Sequence, residues 1–144
     1  MKKQQFSWGP RSLSFWMAAL ISAGIIFIGI RYAFSPLDAS KAFGLALPDD
    51  KTALYGSIKG IRDIFSGLTL AYLLYSKNLR ATAFIFMFAS FIPIVDAYVV
   101  YQANGFNNMP AFLIHSGTAF YGIINTILLF SDSKKQMALP SSVT

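Results

Sequence analysis

The chain has 144 residues, 55% of them hydrophobic and only 12% charged, with a mean hydropathy of +0.52. Soluble domains carry about 25% charged residues, so the composition argues against an ordinary soluble enzyme, and its hydrophobicity excludes a disordered chain. The absence of cysteine excludes disulfides and thiolate chemistry, the single histidine excludes a histidine-rich metal site, and the excess of 12 Lys+Arg over 6 acids flanks apolar runs instead of clustering for nucleic acid.

Four apolar segments have the length of about 20 residues that crosses a hydrocarbon core of roughly 30 Å. The first covers residues 13–33. Lys2, Lys3 and Arg11 precede it like the basic region of a signal peptide, but the run is too long for one and no A-x-A site follows, so it reads as a retained span. The connection from Ser35 to Ala53 holds Pro36, Gly44, Pro48 and Asp49-Asp50, with a short interfacial helix expected around Ala39 to Leu45. The second span covers 54–75 and a tight turn, Ser76 to Arg80, leads to the third at 81–101. An uncharged, Asn-rich loop precedes the fourth at 111–130, and a polar tail, expected to be mobile, follows over 131–144. Lipid offers no partner to unpaired backbone groups, and the runs do not alternate as barrel strands would. The expected fold is all-α, a single-domain integral membrane protein built as an antiparallel four-helix bundle.

Seven bases fall on one side: Lys2, Lys3, Arg11, Lys77, Arg80, Lys134 and Lys135. Only Lys41 and Lys51 occupy the opposite loops. The positive-inside rule then puts both termini in the cytoplasm of a cell (inner) membrane. Tyr32, Tyr55, Tyr75, Tyr98 and Tyr101 stand near span ends, as an aromatic belt requires.

Arg31, Lys59, Arg62, Asp63, Asp96 and His115 lie within the spans. A central charge costs at least about 2.5–3.5 kcal/mol on insertion scales, so each needs a partner, an inward face or a route to the surface. At about 1.5 Å per residue, Lys59 is roughly 8 Å, Asp63 roughly 14 Å, Asp96 roughly 8 Å and His115 roughly 6 Å below the outer ends of their spans. The spans alternate in direction, so this common depth predicts one polar cluster in the outer half of the bilayer. Lys59, Arg62, Asp63 and Ser66 stand at i, i+3, i+4 and i+7, one helix face that could point inward as a unit. Gly56-x-x-x-Gly60 permits close helix approach, within the bundle or with a homo-oligomer or other membrane partner. Pro93, three residues before Asp96, is expected to kink the third span. His115, Thr118, Gly122 and Asn125 form a stripe of small and polar residues on the fourth.

Each charge also has a structural reading: a Lys59–Asp63 pair at i, i+4, an Asp96 clamp on Arg62 or Arg31, a neutral hydrogen-bonding His115, a snorkelling Arg31. A metal on Asp63, Asp96 and His115 is disfavoured by three neighbouring bases, and no cofactor motif is present.

At Gly29-Ile30-Arg31, Pro36, Phe43-Gly44 and above all Lys59-Gly60-Ile61-Arg62-Asp63, with Asp96 and His115 further on, the sequence resembles the small four-span membrane proteins catalogued as domain of unknown function 4267. The resemblance extends over about Leu13 to Phe130. It implies a four-helix integral membrane protein marked at the same polar residues, and supplies no activity, substrate or cofactor. A looser likeness to DoxX-type membrane proteins is one of architecture only.

The leading functional expectation is binding of a small amphiphilic or lipid-like molecule, of anionic character if Arg31 joins the site. Lys59 and Arg62 would hold its polar group, Asp63 would orient those bases, and Tyr55, Tyr98 and Phe112 would cover its apolar part. Two other classes compete. One is an intramembrane acid–base enzyme, an isomerase or hydrolase with Asp96 and His115 as its catalytic pair. The other is an accessory subunit whose charges are internal clamps. A clamp closes on itself, whereas a binding site leaves room.

Overall fold

The computed structural model describes residues 7–138. They form six helices and, among the described residues, no strand: α1 Leu13–Phe34, α2 Pro36–Phe43, α3 Asp50–Tyr75, α4 Leu79–Ala89, α5 Phe91–Asn104 and α6 Met109–Met137. Lys2 and Lys3 lie outside the described residues, as do residues 139–144 of the expected tail.

Three helical segments are long and apolar enough to cross a membrane: Leu13–Phe34, Leu79–Asn104 and Met109–Met137. Their outward faces carry large apolar side chains. Phe27, Phe88 and Phe120 are each more than 60% exposed. Such a surface suits a hydrocarbon solvent and would aggregate in water. The fourth long helix, α3, has 26 residues but carries Lys59, Arg62 and Asp63 through its middle and is not among these three.

Glycine sets the packing of α3 on α1. A Cβ on Gly60 would lie 2.6 Å from Gly29 O, and one on Gly29 would lie 2.7 Å from Gly60 O and from Ile64 N. Further along, Ser22 Oγ donates to Gly67 O at 2.8 Å. Residue numbers fall along α1 as they rise along α3, so the two helices run in opposite directions. Gly56-x-x-x-Gly60 is therefore occupied inside this chain, against Tyr32, Ala33 and Pro36.

The third apolar run is divided. Pro93 has no N–H for the carbonyl of Ala89, and its ring crowds that carbonyl. Accordingly α4 ends at Ala89 and α5 starts at Phe91. Ser90, between them, turns its hydroxyl back to Phe86 O at 2.8 Å. Gly122 of α6 makes room for it, since a Cβ there would meet Ser90 Oγ at 2.6 Å. The expected kink is thus a one-residue interruption, because Ser90 keeps a right-handed helical backbone and its N–H still donates to Phe86 O at 2.9 Å.

Two further boundaries differ from the expectations. The interfacial helix, α2, begins at Pro36, where the missing N–H costs nothing at a first helical position. It stops at Gly44, whose φ of +98° closes the helix by accepting the left-handed conformation. Helix α6 does not end at Phe130 but continues to Met137. Asp132 explains the extension. Its Oδ2 accepts from Ser12 and Ser14 Oγ at 2.7 Å each, and its Oδ1 from Lys135 Nζ at 3.1 Å. Trp8 Nε1 donates to Ser14 Oγ at 2.9 Å. Asn125, fully buried and with its amide oriented nitrogen to Ser14 and oxygen to Ala18, donates to Ser14 O and accepts from Ala18 N, both at 3.2 Å. This network ties the residues before α1 to the end of α6, above an apolar core of Trp8, Leu70, Leu74, Leu79, Phe86 and Leu129.

Candidate functional site

At the other end of the molecule, the corner after α2 builds a second polar assembly. Gly44 lacks a side chain for two reasons. Its backbone is left-handed, and a Cβ would meet Ala111 Cβ at 2.7 Å. The bare backbone lets Asn104 Nδ2 reach Gly44 O at 2.8 Å while also donating to Val100 O at 3.0 Å. The end of α2 is thereby pinned to α5 and α6, and the Phe43 carbonyl is held over His115. His115 Nε2 lies 2.9 Å from Phe43 O. A carbonyl only accepts, so Nε2 carries the proton, and in the neutral ring Nδ1 is left as the acceptor. The Phe43 and His115 rings also pack at a tilt of 56°, with centroids 4.3 Å apart.

Phe43 faces Lys59 as well. The Lys59 ammonium sits 4.5 Å from the Tyr32 ring centroid and 5.4 Å from that of Phe43, within cation–π range. It forms an ion pair with Asp63, one helical turn further on. The pair is partly covered, with Lys59 39% and Asp63 25% exposed at the side chain. Lys59 is therefore neutralised by an acid and capped by two aromatic faces.

Asp96 differs from its neighbours. It lies within electrostatic reach of His115, Lys59 and Asp63. Yet among the described residues its carboxylate makes no hydrogen bond and no ion pair. It is half-buried and borders a shallow, open depression of about 280 Å³ on the surface of α5, with Phe91, Ile92 and Val95. Helix α3 packs on α1, α2 and α4 but not substantially on α5. Hence the Lys59–Asp63 pair and Asp96 are neighbours without contact.

The structure thus gathers Lys59, Asp63, Asp96 and His115 and adds Tyr32 and Phe43. It does not bring in Arg31, Arg62, Tyr55 or Tyr98, whose side chains are exposed on the outside of α1, α3 and α5. Nor does Asp96 clamp either arginine. The reason is geometric. At about 100° per residue, Asp63 is about 60° and Lys59 about 100° around the helix from Gly60, but Arg62 is about 160° away. Once Gly56, Gly60 and Gly67 fix the buried side of α3, Arg62 must point out and Ser66 goes with it. On α6, His115, Gly122 and Asn125 turn inward while Thr118 is exposed, bonded to Ile114 O at 2.8 Å. Phe112 packs on Tyr101 with centroids 6.0 Å apart.

Tyr32 and Phe43 were not assigned to the site from sequence. The signal for Phe43 was available: a proline start and a glycine stop bracket the short helix that ends on it. The Asp132 network had weaker signals, since serines ahead of a span and an Asp after one are ordinary residues for a membrane surface.

No group of three or more His, Cys, Asp or Glu side chains arranged to hold a metal ion occurs among the described residues. At the start of α3, Asp49 is fully exposed and caps the helix by accepting from Thr52 N at 2.8 Å. That bond, followed by the Thr52 hydroxyl, holds its carboxyl below the ordinary carboxylate range.

Apolar helices of spanning length, an outward-facing apolar surface and polar groups gathered inside define a membrane protein of the small polytopic class. The chain belongs to the family defined by a domain of unknown function, DUF4267, whose model matches residues 22–129. That stretch contains all of the gathered polar residues. No curated protein and no solved structure matches the chain.

Proposed function

We propose that this chain is an antiparallel four-span bundle in which α3 is the fourth membrane helix. Both termini are cytoplasmic, in a cell (inner) membrane. Between α3 and α5 it binds a small amphiphilic, lipid-like molecule in the outer half of the bilayer. At about 1.5 Å per residue the 26 residues of α3 extend about 39 Å, enough to cross with its ends in the interfaces. Lys59 and Asp63 lose their net charge in their pair, which reduces the cost of placing them at that depth.

One observation carries the reading. Asp96 is a half-buried carboxylate without a partner among the described residues, beside a shallow apolar depression and within electrostatic reach of a polar pair that it does not touch. A structural clamp would have closed on itself. An acceptor left open next to Phe91, Ile92 and Val95 suits a ligand with a polar head and an apolar body, entering sideways from lipid.

The test is native mass spectrometry of the mildly solubilised protein. A discrete bound mass is expected on the wild type and is expected to be lost from folded Asp96→Asn and Asp63→Asn variants. A wild type that carries no bound mass from any membrane extract, or variants that retain it fully, would overturn the reading.

A second reading has one observation in its favour. The proton on His115 Nε2 is fixed by the Phe43 carbonyl, leaving Nδ1 as a base within electrostatic reach of Asp96. An acid–base enzyme acting on a lipophilic substrate would use that pair. It predicts turnover with a pH–rate profile that His115→Ala abolishes, whereas pure binding predicts no turnover.

A further inference from the structure

We infer that the ligand's headgroup is cationic, a primary amine on an aliphatic chain, with its ammonium on Asp96. This deepens the amphiphile-binding reading and rests on it.

The inference follows from which groups at the site are already engaged. Lys59 pairs its charge with Asp63 and sets its ammonium against the Tyr32 and Phe43 rings. His115 Nε2 donates to Phe43 O. Arg31 and Arg62, the other cations at this level, are turned away from the cluster. No cation of the cluster is left unpaired for an anionic headgroup. The Asp96 carboxylate is left, an acceptor with no donor of its own.

The charge balance points the same way. Lys59 and Asp63 cancel, so with a neutral imidazole the one charge the site can carry is the negative charge of an ionised Asp96. An ammonium brings it to neutrality. A carboxylate or phosphate would add a second negative charge at a depth where uncompensated charge is expensive. A charge-assisted N–H···O bond is also among the stronger polar contacts. The apolar part of such a ligand has its surface ready, because Phe91, Ile92 and Val95 flank Asp96 and are all exposed.

The test uses the full chain in phosphatidylcholine nanodiscs, titrated with dodecylamine, dodecanoic acid and dodecanol. The bound mass is read after the protein is released from the disc in the mass spectrometer. The expected result is saturable binding of dodecylamine by the wild type, in preference to the acid. Affinity should fall roughly tenfold or more in Asp96→Asn, stay close to wild type in Asp96→Glu, and not change in Asp38→Asn, which removes an exposed acid on α2. The wild-type preference alone decides the sign of the headgroup, so the test stands even if Asp96→Asn fails to fold. Preferred binding of dodecanoic acid, lost in Lys59→Gln, would overturn this inference and leave amphiphile binding intact. Saturable amine binding that persists at full strength in a folded Asp96→Asn would overturn the assignment to Asp96. Absence of saturable binding of all three probes would overturn this inference, and with an empty wild type from membrane extracts the underlying reading as well.

Discussion

Replacing Gly60 with alanine should loosen the molecule at the contact that positions the site. The new Cβ would stand 2.6 Å from Ala33 N and from Gly29 O, and 3.0 Å from the Tyr32 carbonyl carbon. All three are backbone atoms of α1, so no side chain can swing aside. Ordinary contact begins near 3.4 Å, so α1 and α3 must part by roughly 0.8 Å. Overpacking of this kind costs about 1–3 kcal/mol, and alanine's better helix propensity returns up to about 1 kcal/mol. A net loss of about 1–2 kcal/mol is expected for Gly60→Ala. Reversible unfolding in mixed micelles, followed by circular dichroism, measures it. Gly24→Ala and Gly117→Ala are the controls, because nothing lies within 4 Å of a Cβ at either position. They should gain about 0.5–1 kcal/mol. Gly29→Ala should lose as Gly60→Ala does, and the double variant should lose less than the sum, since one separation of the helices relieves both. The reasoning is refuted if Gly60→Ala is as stable as Gly24→Ala.

Asp132→Ala leaves the Ser12 and Ser14 hydroxyls without their acceptor and should cost about 1–3 kcal/mol. It should also shift the emission of Trp8, now only 1% exposed, to the red; an unchanged spectrum would show that the segment is held by other means. Gly44→Ala forces a left-handed alanine, at about 1–2 kcal/mol, into contact with Ala111. The Phe43 carbonyl should then leave His115, visible as a change in the imidazole nitrogen resonances. Asp49 has a depressed pKa in the folded chain, so its cap contributes stability above the ordinary carboxylate range and loses it as pH falls through the lowered value. Between about pH 5 and about pH 2, the unfolding midpoint of the wild type should fall more steeply than that of Asp49→Asn, which keeps the acceptor. Parallel curves would remove that role.

The helices were legible where burial in lipid demands long apolar runs, as at Leu13–Phe34, and where a cap and a breaker stand together, as at Pro36 and Gly44. The place of each polar residue along its helix was legible too, because it depends only on distance from the helix ends. Rotation about the axis was not. Lys59, Arg62, Asp63 and Ser66 share one face by spacing, but the glycines decide which part of that face is buried, and Arg62 falls on the wrong side of the division. The pairing partners were hidden for a related reason. Phe43 reaches both His115 and Lys59 only because Gly44 and Asn104 fold a loop over α5 and α6. Likewise, Pro93 signalled a disturbance of the third run, but the space that Gly122 leaves for Ser90 could not be read from spacing.

Whether α3 crosses the membrane decides between a groove bathed in lipid and a charged helix lying along the surface. The native chain has no cysteine, so single substitutions report cleanly. Pro48→Cys precedes α3, Asn78→Cys follows it, and Asn107→Cys lies between α5 and α6. In intact cells, an impermeant thiol reagent should label Pro48→Cys and Asn107→Cys, and should reach Asn78→Cys only after the membrane is opened. Equal labelling of Pro48→Cys and Asn78→Cys from one side would contradict the account, because α3 would then return to the side it left and the site facing Asp96 could not lie within the bilayer.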